Sequence, residues 1–493
     1  MVDKPQEASV ALLDALSASV LESGQADPVE LWAQLDASRP ERKVMGKLLA
    51  TAGMFLWRPV RVSCGAEGPP LMDASAVRGS QLPPVACFPA VQKTREEDPS
   101  DSARQREVQR ALSSAATWVS EKACVAARQC ICTWTNVLVQ QPGDQYLALF
   151  DFLPAAMASL SDAAVGIQAT TAGLRDKSSE RRALATLLSL HWLMEHSDYR
   201  ALRDRLGICL PVLLRSLDHC GDSLVRLVGL DTLHLMLDRA MAVEVQGFVP
   251  PLLDCLSAHS PLFLEGDSLA MSLVVPYCAT YVLLLSKGRV GRSSWCQEAV
   301  NKFMTFGSVH CRASTAAFRR FLENGLLPLL LRDVMLLAPR LQELIELLLQ
   351  ASESTDALEV LFAWRALQVL LGGELLPCVR HVALDVLLRL VFSYFTHLAS
   401  GPPPGLKVSS STEAKAGFVS PVVAVMTSAE WSMVEKCRPA LREALQAVIR
   451  LLATGWSDKF DDMLVELQSL SGHSELGLLD FTAFARDVVA EVQ

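Results

Sequence analysis

The apolar residues of this chain recur at helical spacing along most of its length. Val10, Leu13, Leu16 and Val20 share one stripe, and Leu31 to Leu35 open another. Val108, Ala111, Leu112, Ala115 and Val119 repeat the i, i+3, i+4 pattern. So do Leu341, Leu344, Ile345, Leu348 and Leu349, with Gln342, Glu343 and Glu346 away from the stripe's centre. Val379, Ala383, Val386, Leu387, Leu390 and Tyr394 form a further face, with Arg389 turned outward. Residues three and four apart lie on one side of a helix, so each set predicts a helix packed along one face. From near Ala103 to Ser400 the pattern predicts helix and short turn almost without interruption.

A longer period runs through these helices. A Leu or Val followed by Pro and more apolar residues stands at Leu153-Pro154, Leu210-Pro211, Val249-Pro250, Leu327-Pro328 and Leu376-Pro377. Pro211 and Pro250 are 39 residues apart, and Pro250 and Pro328 are 78 apart, twice that interval. The outer intervals, 57 and 49 residues, are irregular. Proline suits the first turn of a helix, where its missing N–H has no partner to lose. A period of roughly 40 residues with proline at a helix start predicts an all-α chain of stacked antiparallel helix pairs, a degenerate α-solenoid, because each pair buries its second face only against a neighbour.

Interruptions in the pattern divide the chain. N-terminal helices occupy 1–57, and a flexible Pro/Gly-rich linker follows at 58–102, with Pro69-Pro70, Pro83-Pro84, Pro89 and Pro99. The helical-repeat array spans 103–400, and a Gly/Pro/Ser loop at 401–418 opens with Gly401-Pro402-Pro403-Pro404-Gly405. A helical block at 419–493 closes the chain as a cap. Composition supports a large buried core: of 493 residues, 51% are apolar and only 20% charged, which excludes disorder of the whole. A net charge of −9 argues against nucleic acid as a partner, since binding phosphates needs surplus Lys and Arg.

Ser268 to Ser286 carries no charge for 19 residues, long enough to cross a bilayer. Pro276 at its middle and its Ser, Thr, Cys and Tyr content instead point to a central helix buried on nearly all sides, so no membrane partner is expected. The N-terminus lacks the basic and apolar regions of a secretory signal, and no compact basic import signal stands out. A cytoplasmic chain is expected, with the nucleus left open. Among 13 cysteines, Cys130, Cys209, Cys255, Cys278 and Cys378 sit in apolar helical runs and are expected to be buried, reduced thiols. Cys124, Cys130 and Cys132 have the wrong spacing for a tetrahedral metal site.

Candidate chemistry is sparse. Gly221-Asp222-Ser223-Leu224 and Gly266-Asp267-Ser268-Leu269 spell the nucleophile block of an esterase class that needs a strand-to-helix turn and a distant Asp-x-x-His. The only such partner, Asp231-Thr232-Leu233-His234, lies on the same predicted helix as the first block, so both blocks read as turns with Asp or Ser capping the next helix. Nine histidines are scattered without metal-ligand spacing, and His191 and His381 read as packing or surface residues. Glu96-Glu97, Asp461-Asp462 and Arg181-Arg182 read as solvated charge. No catalytic, cofactor-binding or metal-ligating residue is assigned, no cofactor is expected, and no enzyme activity is expected.

Asp222, Val225, Arg226, Gly229 and Leu233 match the Asp-x-x-Val-Arg-x-x-Ala-x-x-x-Leu pattern of the second helix of a HEAT repeat, and Val379, Arg380, Ala383 and Leu387 match it without the Asp. There the Asp caps the helix, the small residue admits the paired helix, and Val and Leu fill the groove. The chain thus resembles HEAT/armadillo-like proteins. From about Asp198 to Phe395 the order of elements further resembles the HEAT-like family of Tel-two-interacting protein two. The likeness rests on the stretches Leu206 to Arg239, Phe248 to Ser286 and Phe321 to Tyr394. It implies a non-catalytic scaffold subunit of a TTT-like co-chaperone complex, acting with heat-shock protein ninety to mature and stabilise phosphatidylinositol-3-kinase-like protein kinases. Its implied partners are other helical-repeat subunits directly, and chaperone machinery and large kinases indirectly; no contact residue is carried over. The residues leave a second class open, a general HEAT or armadillo adaptor in transport, vesicle-coat or cytoskeletal assembly.

Overall fold

The computed structural model describes residues 4–21, 27–38, 43–56, 110–111, 114–116, 118, 120–138, 177–196, 206–218, 223–260, 270–288, 294–373, 375–403, 423, 425–456, 459–470 and 475–490. The chain is all-α: among the described residues about 91% are helical and none lies in a strand. The stretch 58–102, the Leu153-Pro154 phrase, Asp222, the second Gly-Asp-Ser-Leu block and 404–418 lie outside the described residues. Described residues up to Cys296 form one compact unit and those from Gln297 form another, a division that falls inside 103–400.

The first unit opens with α1 (Lys4–Leu21), α2 (Pro28–Asp36) and α3 (Met45–Leu56). Leu13, Leu16 and Val20 of the α1 stripe are buried, and Val10 is half-buried. Asp27 starts α2 by accepting from the Val29 N–H, with Pro28 at the first helical position. Next come α4 (Glu121–Leu138) and α5 (Lys177–His196). Helix α4 packs on α2 and α3, where the Trp134 indole donates to the Leu35 carbonyl at 3.3 Å. Helices α3 and α5 meet closely at Gly53, where a Cβ would stand 3.0 Å from the Ser189 backbone, and the Ser189 hydroxyl donates to the Ala50 carbonyl. The helices of 1–57 therefore share a core with those that follow.

The longer helices that follow in this unit are α6 (Leu206–Asp218), α7 (Ser223–Arg239), α8 (Val249–His259) and α9 (Ala270–Lys287), with a single α turn, Ala242–Val245, between α7 and α8. Helix α7 lies between α5 and α9; α6 packs on α7, α8 packs on α9, and α6 touches α8. Arg239, the last residue of α7, donates to the Met194 carbonyl in the final turn of α5. Lys287, the last residue of α9, donates to the Leu237, Asp238 and Ala240 carbonyls at the end of α7, the Asp238 bond measuring 3.1 Å. The same device thus occurs twice, and it fixes α5, α7 and α9 as parallel neighbours with their C-termini together. A helix ends in carbonyls without N–H partners and a negative dipole end, and a cation there answers both. Within the α6–α7 pair, a Cβ on Gly229 would stand 2.2 Å from the Ser216 Oγ, so the small residue at this position admits the paired helix, as the repeat pattern predicts.

Proline placement corrects one expectation. Pro250 and Pro328 stand in first turns, of α8 and of α12 (Leu327–Asp333), and Pro377 begins a 3₁₀ turn, Leu376–Val382. Pro211 instead lies inside α6, because buried Leu206, Cys209 and Leu210 carry the apolar stripe of Leu213 and Leu217 back before it. Helix α9 contains buried Pro276, Tyr277, Cys278 and Tyr281. Among the described residues, no helix is long and apolar enough to cross a membrane.

The second unit holds most of α10 (Ser294–Thr305), then α11 (Thr315–Phe321), α12, α13 (Leu341–Ala351), α14 (Ala357–Gly372), α15 (Ala383–Ser393), α16 (Ser428–Gly455), α17 (Phe460–Leu470) and α18 (Glu475–Ala490). Helix α14, buried along nearly its whole length, packs against α11, α12, α13 and α16. The α13 stripe is buried at Leu344, Ile345, Leu348 and Leu349, with Gln342 and Glu346 exposed. The face read through Val379 to Tyr394 is real, but it is built from the 3₁₀ turn, α15 and a π turn, Tyr394–Ala399. Two more π turns stand at Phe306–His310 and Leu322–Leu326. Helix α16 begins with a capping box, Thr427 accepting from the Glu430 N–H at 3.3 Å while the Glu430 carboxylate accepts from the Thr427 N–H at 2.7 Å. The Thr427 hydroxyl also donates to the Glu430 carboxylate at 2.7 Å, and the N–H and O–H of Thr427 together hold that carboxyl below its ordinary value.

Candidate functional site

Among the described residues, the buried charged side chains other than Lys287 all belong to the second unit: Arg319, Arg320, Glu323, Glu359, Arg365 and Arg438. Two of them, Arg319 and Glu359, meet at the turn between α13 and α14. Asp356 caps α14, its Oδ1 accepting from the Leu358 and Glu359 N–H groups at 2.9 and 3.1 Å, while its Oδ2 meets the Arg319 guanidinium of α11 at 3.3 Å. The Ser354 hydroxyl accepts from the Asp356 N–H at 3.2 Å and donates to the Glu359 carboxylate at 2.9 Å. Behind the turn, the Trp364 indole donates to the Ser393 hydroxyl, which donates to the Ser352 carbonyl, both at 3.0 Å. On α16, Arg438 donates to the His397 and Ser400 carbonyls at 3.3 and 3.2 Å and lies over the Trp431 ring.

Burial sets the proton affinities here. It drives the Glu359 carboxyl up to about 7, aided by the Asp356 charge and opposed by the Ser354 bond and by Arg312 and Arg319. It drives the His397 imidazole down to about 4, aided by Arg438 and opposed by the Ser354 backbone. Ser354, His397 and Glu359 are the residue types of a hydrolytic triad, yet the Ser354 hydroxyl donates straight to Glu359, so no imidazole stands ready to take its proton. What the arrangement does is tie helix ends together. A second tie joins α14 to α16, where Arg365, 1% exposed, pairs with Glu443 at 3.1 Å.

No family model matches the chain, and no curated protein matches it.

Among the described residues, those singled out from the sequence do not converge. Ser223 begins α7 and His234 lies three turns along the same helix, about 16 Å away along the axis. His191 is buried in α5, and His381 is exposed beside Gln342 at 3.2 Å. Asp461 and Asp462 are exposed in the first turn of α17. Arg181, expected in solvent, is half-buried with its guanidinium 5.3 Å from the centre of the Trp118 ring; an aromatic 63 residues earlier in the chain leaves no local signal of that. Cys130, Cys209 and Cys278 are buried as expected and Cys255 is half-buried, but Cys378 is exposed. The 3₁₀ turn turns Val379 and Val382 inward and leaves Pro377, Cys378 and His381 outside. No three metal-ligand side chains come together among the described residues.

Exposed apolar side chains gather in one short arc between α7 and α8. Met241, Val243 and Phe248 are all exposed there, Val243 to 82%. They follow no helical stripe, which is why periodicity passes over them.

Proposed function

We propose that this chain is a non-catalytic HEAT-like α-solenoid scaffold, a subunit of a TTT-like co-chaperone complex that matures and stabilises phosphatidylinositol-3-kinase-like protein kinases. The observation that carries the solenoid reading is the serial layer α5–α7–α9, each helix closed onto the last by a basic residue in its final turn, with α6 and α8 backing it. A helix pair that repeats its packing in this way makes an extended surface, and such surfaces bind other proteins. The kinase-maturation role rests on the resemblance of 198–395 to the Tel-two-interacting protein two family. Its partners in this reading are other helical-repeat subunits in the cytoplasm, and the exposed arc of Met241, Val243 and Phe248 offers apolar area for one of them to cover.

Affinity purification of the tagged chain from its own cells, with mass spectrometry of co-purifying proteins, tests the role. Two helical-repeat proteins together with giant kinases or chaperone components support it. Coat, tubulin or transport proteins in their place overturn it in favour of the general adaptor. Val243→Glu, at an exposed position, is expected to leave the melting temperature unchanged and to reduce recovery of a helical-repeat partner.

A further inference from the structure

The turn between α13 and α14 brings two carboxylates beside a buried guanidinium already bound to one of them. Arg319 meets Asp356 at 3.3 Å, and Asp356 holds the first turn of α14 through the Leu358 and Glu359 N–H groups. Glu359, only 5% exposed, is served by the Ser354 hydroxyl at 2.9 Å. The charged groups that act on it are Asp356 from its own turn, Arg312 from the 3₁₀ turn Cys311–Ala313, and Arg319 from α11. His397 and Arg438 belong to the neighbouring part of the network, linked through the Ser354 backbone.

We propose that Glu359 is a proton-controlled switch on the N-terminus of α14. While its carboxyl is neutral, Arg319 stays on Asp356 and the cap is closed. Once ionised, it places a buried negative charge beside the half-buried one of Asp356, competes for Arg319 and loosens the cap. Burial holds the proton to about pH 7, against 4.5 for the ordinary carboxyl, so the switch works around neutrality. The sign follows from linkage: an acid whose folded value is raised stabilises the closed form below its unfolded value, and that contribution is lost as pH rises through the folded one. Between pH 6 and pH 8, an opening that exposes Glu359 becomes about tenfold more favourable. His397, held down to about 4, stays neutral throughout that window.

Hydrogen exchange of the full chain, followed by mass spectrometry of peptides covering 350–362 and corrected for the intrinsic pH dependence of exchange, reads the opening directly. The unaltered chain is expected to open about tenfold more at pH 8 than at pH 6, and Glu359→Gln, neutral at every pH, equally at both. A matching pH response in the two overturns the proposal. Asp356→Asn keeps a capping side chain and releases Arg319 to Glu359, so it is expected to shrink the response. An unchanged response in Asp356→Asn overturns the proposal too, even where Glu359→Gln fails to fold.

Discussion

Gly229, Gly307 and Gly207 show how differently one residue type can be constrained. A Cβ on Gly229 meets the Ser216 Oγ at 2.2 Å and the Ser216 Cβ at 3.2 Å, and the hydroxyl is held by a 2.6 Å bond to the Leu213 carbonyl. A Cβ on Gly307 meets the Phe321 ring at 2.1 Å, and that ring is fixed by Phe303, Phe306 and Phe318. Gly207, near the start of α6, has nothing within 4 Å. Gly229→Ala is expected to destabilise by about 1 kcal/mol, since a hydroxyl can turn aside, and Gly307→Ala by about 3 kcal/mol, since a packed ring cannot. Gly207→Ala is expected to stabilise by about 0.5 kcal/mol through the unfolded chain. Urea denaturation of the three variants checks the order. Only the first of these positions was legible in the sequence, because it falls in a repeat pattern that calls for a small residue. Gly307 sits in a π turn, Phe306–His310, whose five-residue hydrogen bonding shifts the side-chain register, so helical spacing does not report what it touches.

At the scale of elements, the stripes that periodicity picks out are the faces that are buried, in α1 and α13 most directly, because burying one face is what makes a helix of that length stable. What periodicity leaves out is how a helix ends. Pro211 looked like a start and is internal, and the run from Val379 to Tyr394 changes from 3₁₀ to α to π without altering its apolar pattern. The closure of α7 by Lys287 was equally hidden, since a basic residue in a last turn reads as ordinary dipole compensation of its own helix. Lys287, 8% exposed, instead turns its ammonium to the neighbouring helix. Lys287→Met keeps the apolar stem and strips the carbonyls of Leu237, Asp238 and Ala240 of that donor, and is expected to cost about 2–3 kcal/mol. Lys287→Arg, which retains donors, is expected to cost less than half as much. Thermal melts of both variants decide whether the charge or the stem matters; equal losses would show that packing alone holds α9 against α7.

At the scale of the molecule, helix content was evident from the sequence and the division into two units was not. The interval of 78 residues from Pro250 to Pro328 passes straight across the boundary after Cys296, so the proline phrase marks helices in either unit and says nothing of where one core gives way to the next. Cysteines provide a way to measure each core. Cys132 and Cys378 are exposed, whereas Cys209 and Cys278 are buried in the first unit and Cys311 and Cys437 in the second. Burial, with the Asp36 charge, pushes the Cys130 thiol up to about 12, and burial raises Cys311 further, so neither holds reactive thiolate near pH 8. A thiol reagent at that pH is therefore expected to modify Cys132 and Cys378 within the mixing time, and the buried positions only through unfolding. With rising urea, mass-spectrometric mapping is expected to show Cys209 and Cys278 losing protection at one midpoint, and Cys311 and Cys437 at one midpoint of their own. Coincidence within each pair is what a single cooperative core requires, because a buried thiol then becomes accessible only when its whole unit opens. Separate midpoints within a pair would mean that the helices of that unit open one at a time, as in an array whose neighbours are weakly coupled, and the unit would be a stack of independent repeats rather than one core.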